Sequence, residues 1–136
     1  MPSLNTKIET LRLLEVAVRM PEGPECHRTA INLNARRAGS CFVDVIIESG
    51  RYKTHGPFQG YELLIAGIRK TNGLRVIAVA AWGKLIIWML SRSLFIHCTL
   101  GLKGGWSRSK RKHGGVCFVF DNGREWFNDQ LHYGTI

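Results

Sequence analysis

The stretch GVCFVFDNGREWFN, residues 115–128, decides the fold. Gly115 to Phe120 and Arg124 to Asn128 are short runs of β-branched and aromatic residues, the composition of strands. Between them, Asp121-Asn122-Gly123-Arg124 reads as a tight hairpin turn. Both central residues of a type I′ turn need φ > 0, and Asn and Gly are the residues that tolerate it.

Moving outward, the same signature repeats. Leu94 to Thr99, Lys84 to Leu90, Leu74 to Ala81 and Cys41 to Glu48 are further short strands with tight spacing. Two stretches read as loops: GRYKTHGPFQGY from Gly50 to Tyr61, and KGGWSRSKRKHGG from Lys103 to Gly115, a basic, glycine-flanked hairpin end. Upstream, Pro21-Glu22-Gly23-Pro24-Glu25 is a helix entry, with proline near a first turn and acids beside it. The helix over residues 24–37 runs through Cys26, Ala30, Leu33 and Arg37 and ends near Gly39. Residues 4–19 place Leu4, Ile8, Leu11, Leu14 (or Val16) and Val18 at near-helical spacing behind an Asn5-Thr6 cap. They read as a short amphipathic helix or an unstructured leader. The fold class is therefore mainly β with one or two helices: an antiparallel two-layer β-sandwich preceded by an N-terminal helix. It divides into a leader, 1–20, and one domain, 21–136.

Nineteen Lys and Arg against ten Asp and Glu give a formal charge of +9 in 136 residues. A field of that sign favours polyanions, nucleic acid first, over neutral partners. No run approaches the ~20 apolar residues of a membrane span, and residues 1–20 have the wrong charges for a signal peptide. Cys26, Cys41, Cys98 and Cys117 contain no C-x-x-C pair, which argues against a zinc knuckle. Three of the four sit in apolar runs, as free thiols do in a reducing, intracellular compartment.

Three constellations can carry chemistry. Lys103, Arg108, Lys110, Arg111, Lys112 and His113 can neutralise phosphates, with Trp106 among them to stack on a base; the plain alternative is a solvated loop. Pro21 is by default part of a helix entry. If Met20 starts the chain, however, its removal exposes a secondary amine that attacks carbon electrophiles, with Glu22 beside it as a general acid. Lys84, entering a strand after Gly83, sits either at the rim of a sheet in water or at a cleft facing a phosphate.

Taken together these features resemble the formamidopyrimidine-DNA glycosylase/endonuclease VIII family from Met20 to the end of the chain. The PEGPE opening carries the resemblance. Gly83-Lys84, the segment Leu100-Gly101-Leu102-Lys103-Gly104-Gly105-Trp106 (the family's L-G-M-x-G-x-W/F) and Phe127-Asn128-Asp129 followed by Gly134 support it.

The resemblance implies a DNA glycosylase and abasic-site lyase of base-excision repair. Its partner would be double-stranded DNA containing oxidised bases or abasic sites, met by a monomer. It implies that the Pro21 nitrogen attacks the sugar C1′, Glu22 protonates the opening sugar and Lys84 holds a phosphate and helps the base leave. Leu102 stands where the family has a wedge methionine. Where the family reads D-P-R-R-F-G, this chain has Asp129-Gln130-Leu131-His132-Tyr133-Gly134. Tyr133 can still stack, whereas Leu131 cannot hydrogen-bond the opposite base. The family's helical DNA-binding domain and zinc finger lie beyond Ile136, so no cofactor is expected in this chain. Residues 1–20 precede Pro21, and an internal proline nitrogen is an amide rather than a nucleophile.

Overall fold

The structure, a computed structural model, describes residues 24–100, 105–112, 114–128 and 136. The expected leader helix therefore lies outside the described residues. Helix α1, Pro24–Arg37, takes the expected boundaries. Its buried residues Cys26, Ala30, Leu33 and Arg37 form one stripe at helical spacing. Glu25 in the first turn and Arg36 and Arg37 in the last suit the helix dipole, and Gly39 at φ 84 lets the chain leave.

Seven strands follow: β1 Cys41–Ile47, β2 Leu74–Trp82, β3 Leu85–Leu90, β4 Leu94–Thr99, β5 Gly105–Ser107, β6 Gly114–Phe120 and β7 Gly123–Asn128. They pair antiparallel in the order β4-β3-β2-β1-β6-β7-β5. The link between β2 and β1 is only two residue pairs, Cys41↔Arg75 and Phe42↔Leu74. At that join the sheet folds over into two layers, β4-β3-β2 and β1-β6-β7-β5. Trp88 of β3 meets Phe118 and Phe120 of β6 and Trp106 of β5 with ring centroids 5.4, 5.5 and 5.4 Å apart. The sandwich is thus closed by aromatic rings from both layers, each burying a large apolar area.

Four differences from the sequence reading have physical causes. Within the expected loop Gly50–Tyr61, Arg51–Thr54 makes one helical turn, α2. A helix not expected at all, α3, spans Tyr61–Thr71 and buries Leu64 and Ile68. Its apolar run Leu63-Leu64-Ile65 blurs the periodicity, and Gly67 looks like a breaker. That glycine faces a neighbouring strand closely: a Cβ would stand 3.0 Å from Leu94 Cδ1, a tight contact.

The hairpin at 121–124 exists, but Phe120 pairs with Gly123, so its loop is Asp121-Asn122. Neither of these has positive φ; Gly123 does, at 148°. The turn is not type I′.

The basic stretch is no hairpin end either. β5 and β6 both pair with β7 and not with each other. Residues 108–112 therefore lie on the crossover from one neighbour of β7 to the other.

One charged cluster is inside. Glu125 is fully buried and receives Arg36 Nε at 3.0 Å, Arg36 Nη2 at 2.7 Å and Arg37 Nε at 2.7 Å. Arg37 goes on to donate to Asn122 Oδ1 at 3.0 Å and to the Arg124 carbonyl at 3.0 Å. The end of α1 is thereby clamped to the β6–β7 hairpin. A Cβ on Gly123 would stand 2.7 Å from Arg37 Nη1, so glycine is needed for space as well as for φ.

Candidate catalytic end and nucleic-acid interface

The β2–β3 turn is a two-residue connection, Gly83-Lys84, closed by the Trp82↔Leu85 pair. Gly83 takes φ 62, which a side chain would disfavour. Lys84 is exposed, as the rim reading expected, and has no ion-pair partner among the described residues. Its carbonyl accepts the Cys26 thiol at 3.5 Å, so the first turn of α1 rests on this turn. Burial pushes the Cys26 thiol pKa up; Glu25 adds to the rise and the Lys84 ammonium opposes it. The lysine's charge is thus felt at the start of α1. Trp82, 42 % exposed, stands on the same turn, an open aromatic that the sequence reading did not single out.

Strand register extends this end of the molecule. Leu85 pairs with Thr99, so β4 finishes beside the Lys84 turn. β5 starts at Gly105, which pairs with Asn128, the last residue of β7, and Asn128 also pairs with Gly114 at the start of β6. Pro21, Glu22, Leu102, Lys103, His113, Leu131, His132 and Tyr133 lie outside the described residues. Their flanking strand and helix ends are described: Pro24, Thr99, Gly105, Gly114 and Asn128.

The basic crossover is exposed at Arg108, Lys110, Arg111 and Lys112. Lys110 is drawn down, its Nζ 2.6 Å from Glu48 Oε1 and 5.6 Å from the Trp126 ring centroid. Both partners of that pair are close to half exposed, so it is worth ~0–1 kcal/mol. Arg108, Arg111 and Lys112 have no ion pair among the described residues. The crossover is pinned by Asn128 Nδ2 donating to Ser107 Oγ at 3.0 Å and Gly114 N–H donating to the Arg111 carbonyl at 2.9 Å. Arg111 and Lys112 therefore return to the level of Asn128, while Arg108 leaves from the far end of β5.

Trp106 is not a stacking platform. It is half-buried, with ring contacts to Trp88, Phe118 and Phe127 at 5.4, 4.9 and 5.2 Å. Core packing claims it because β5 turns its side chain inward. All four cysteines are free; Cys26, Cys98 and Cys117 are buried and Cys41 is half-buried. Among the described residues, no three His, Cys, Asp or Glu side chains gather as metal ligands, and no helix is long and apolar enough to cross a membrane.

The model of the formamidopyrimidine-DNA glycosylase N-terminal domain matches residues 20–136. The chain belongs to that family. Among solved structures it is similar to the MutM (Fpg) protein of Thermus thermophilus, with TM-score 0.68 and 21% identity over 85% of this chain and 39% of that one. It is also similar to the Lactococcus lactis formamidopyrimidine-DNA glycosylase bound non-covalently to DNA containing an abasic site, with TM-score 0.66 and 19% identity over 82% of this chain and 42% of that one. The same Lactococcus lactis protein in complex with Fapy-dG-containing DNA gives TM-score 0.67 and 19% identity, with 82% and 42% covered. The chain thus spans about two-fifths of the length of these glycosylases. Curated protein sequences give no match.

Proposed function

We propose that this chain is the catalytic sandwich of a DNA glycosylase and abasic-site lyase acting in base-excision repair on double-stranded DNA with oxidised bases or abasic sites. The observation that carries the reading is the grouping of chain ends at two places, one at Asn128 and the other at Lys84. The first turn of α1 rests on its carbonyl. β4 ends beside it at Thr99. β5 opens five residues after Leu100, at Gly105, where β7 ends at Asn128. Every segment outside the described residues that bears an expected catalytic or gap-filling side chain attaches to one of these ends. Pro21 is three residues before Pro24, a covalent reach of at most ~10–11 Å.

The chemistry follows from the residue types. In a chain beginning at Met20 and then losing it, the Pro21 amine attacks the sugar C1′. The glycosidic electron pair leaves with the base, which is protonated. Glu22 protonates the ring oxygen as the sugar opens, leaving an iminium ion from which elimination releases the strand. Lys84 supplies a positive charge to a phosphate, and Leu102 and Tyr133 occupy the gap left by the flipped nucleotide. Arg108, Arg111 and Lys112 add sequence-independent phosphate contacts. The reading implies a monomer acting in a compartment that holds DNA.

A second reading, a non-catalytic DNA-binding member of the family, is favoured by one observation: Pro21 is internal in this sequence, and its nitrogen is an amide. Borohydride trapping on abasic-site DNA separates the two. A chain starting at Met20 is expected to give a covalent complex, lost on Pro21→Gly. Glu22→Gln is expected to depress excision more than binding. Absence of any complex from the chain starting at Met20 would overturn the lyase reading and leave DNA binding alone.

A further inference from the structure

At the end of the sandwich away from Lys84, turns and strand ends surround a groove of about 530 Å³. Ser40 and Cys41 line it from the entry to β1, Asn72 and Arg75 from the entry to β2, and Ser91 and Arg92 from the β3–β4 turn. Seven positions of β2, ~23 Å of extended chain, separate Arg75 from Trp82 beside the Lys84 turn. An anion held here is therefore not the one that Lys84 faces.

The walls of the groove are fixed by hydrogen bonds. Arg75 N–H donates to Ser91 Oγ at 3.0 Å, which ties the β3–β4 turn to β2. Val76 N–H donates to the Ser40 carbonyl at 2.9 Å. The carboxylate that lines the groove, Asp121, accepts Cys41 N–H on Oδ1 at 3.0 Å. Thr71 Oγ1 shares its proton between the carbonyls of Gly67 and Gly73, at 2.9 and 2.6 Å. What remains open is cationic. Arg75 and Arg92 are exposed in the groove and have no ion pair among the described residues. Arg69 and Lys70, in the last turn of α3, add to the positive field. The β3–β4 turn also carries its arginine under strain. Arg92 at φ 64 and Ser93 at φ 62 both take the left-handed conformation, which glycine and asparagine adopt more readily. Strained residues of this kind cluster at ligand clamps.

We propose that this groove binds a phosphate group. Arg75 and Arg92 offer planar guanidinium forks that match phosphate oxygens. Ser91 Oγ accepts from Arg75 and keeps its own proton to donate. Two cations and a hydroxyl suit a doubly charged group with three terminal oxygens better than a single carboxylate. The Asp121 carboxylate disfavours an anion on its own side, which leaves the side of β2 and the β3–β4 turn for the phosphate. Inorganic phosphate and the backbone of a nucleic-acid strand present the same chemistry. None of the residues of the glycosylase reading takes part, so the site stands whether or not that reading does.

Cys41, a half-buried free thiol in the groove wall, reports on occupancy. Its alkylation by iodoacetamide in the full chain is followed by peptide mass spectrometry with inorganic phosphate, with a short undamaged DNA duplex, with a polyglutamate peptide, or with sodium chloride at matched ionic strength. Phosphate is expected to slow Cys41 several-fold where chloride does not, and the double variant Arg75→Gln/Arg92→Gln to lose the effect. Duplex protection that the double variant also loses assigns the groove to strand phosphates; protection by inorganic phosphate without the duplex assigns it to a small phosphate ligand. Protection by neither, protection that persists in the double variant, or polyglutamate protecting as well as phosphate overturns the proposal. Arg92→Gly separates binding from strain. Glycine takes φ 64 freely, so the urea midpoint is expected to hold or rise while phosphate protection weakens; unchanged protection overturns the role of Arg92. If the double variant does not fold, the wild-type Arg75 and Arg92 Nε–H resonances decide: shifts on phosphate addition support the site, and their absence overturns it.

Discussion

Two cationic regions flank the start and the end of α1, and they are built in opposite ways. At its C-terminal end Arg36 and Arg37 converge on one fully buried carboxylate, Glu125, and Arg37 also satisfies the hairpin at Asn122 and Arg124. At its N-terminal end Lys84 stands exposed on a two-residue turn, with a thiol on its carbonyl and no ion pair among the described residues. The first region is closed at its centre: Glu125 and Arg37 are buried and matched to each other, and Arg36 caps them from the partly exposed side. The second is open: its charge is available to an anion from outside. A net charge of +9 alone cannot tell these apart. Only part of the basic surplus is left to face a polyanion.

The comparison breaks most readily at the closed region. Glu125→Ala leaves Arg37 buried without its partner, and stranding one member of a buried pair costs ~3–5 kcal/mol. Equilibrium urea unfolding should show a midpoint far below wild type. A change under ~0.5 kcal/mol would mean water reaches the arginines and the region is not closed.

Lys84→Ala should behave in the reverse manner. Exposed substitutions stay within about ±0.5 kcal/mol of wild-type stability, while under the proposed function affinity for abasic-site DNA should fall and the salt dependence should lose ~0.9 in log–log slope, one phosphate contact. Fluorescence anisotropy across a salt series measures this, and an unchanged slope would remove Lys84 from the interface. Lys110→Ala belongs between the two: its half-exposed pair with Glu48 should yield ~0–1 kcal/mol.

The smallest effect concerns thiols. Burial, with Glu125, Glu48 and Asp44 adding and Arg124 opposing less strongly than burial acts, pushes the Cys117 thiol up to about 11 from 9.0. The folded chain holds this proton more tightly than the unfolded one. The contribution to stability is therefore whole below pH 9 and is lost as pH rises through 11. Denaturant midpoints between these pH values should decline less steeply in Cys117→Ala than in wild type. At pH 8 the half-buried Cys41 should react with a thiol reagent well before Cys117.

The strands were readable because each carries its own local evidence. Leu94–Thr99 appears with its expected ends, and the other expected strands differ by one residue at an end. Helix α1 was readable from its stripe and its caps. What failed was whatever a distant neighbour decides. The helix Tyr61–Thr71 contains Gly67, where a Cβ would crowd Leu94 on another strand. The basic segment looked like a hairpin because β5 is only three residues long and its partner is β7, which pairs with it from Trp126 to Asn128. Trp106 looked like a base-stacking residue because its polar neighbours in sequence hide the aromatic cluster it joins in space.

The candidate site divides in the same way. Pro21, Glu22 and Lys84 are chemically suggestive as residue types, and the PEGPE string with Gly83-Lys84 is enough to point to the family. Nothing in the sequence indicated that the Cys26 thiol would rest on the Lys84 carbonyl, or that Gly105, Gly114 and Asn128 would meet. Sequence by itself determined the strand content, the helix entry, the charge surplus and the family, because these are local patterns or sums over the chain. Tertiary structure decided which cations are paired inside and which aromatics are core. Burial and pairing depend on residues far apart in the chain, and strand register is what brings those residues within contact distance.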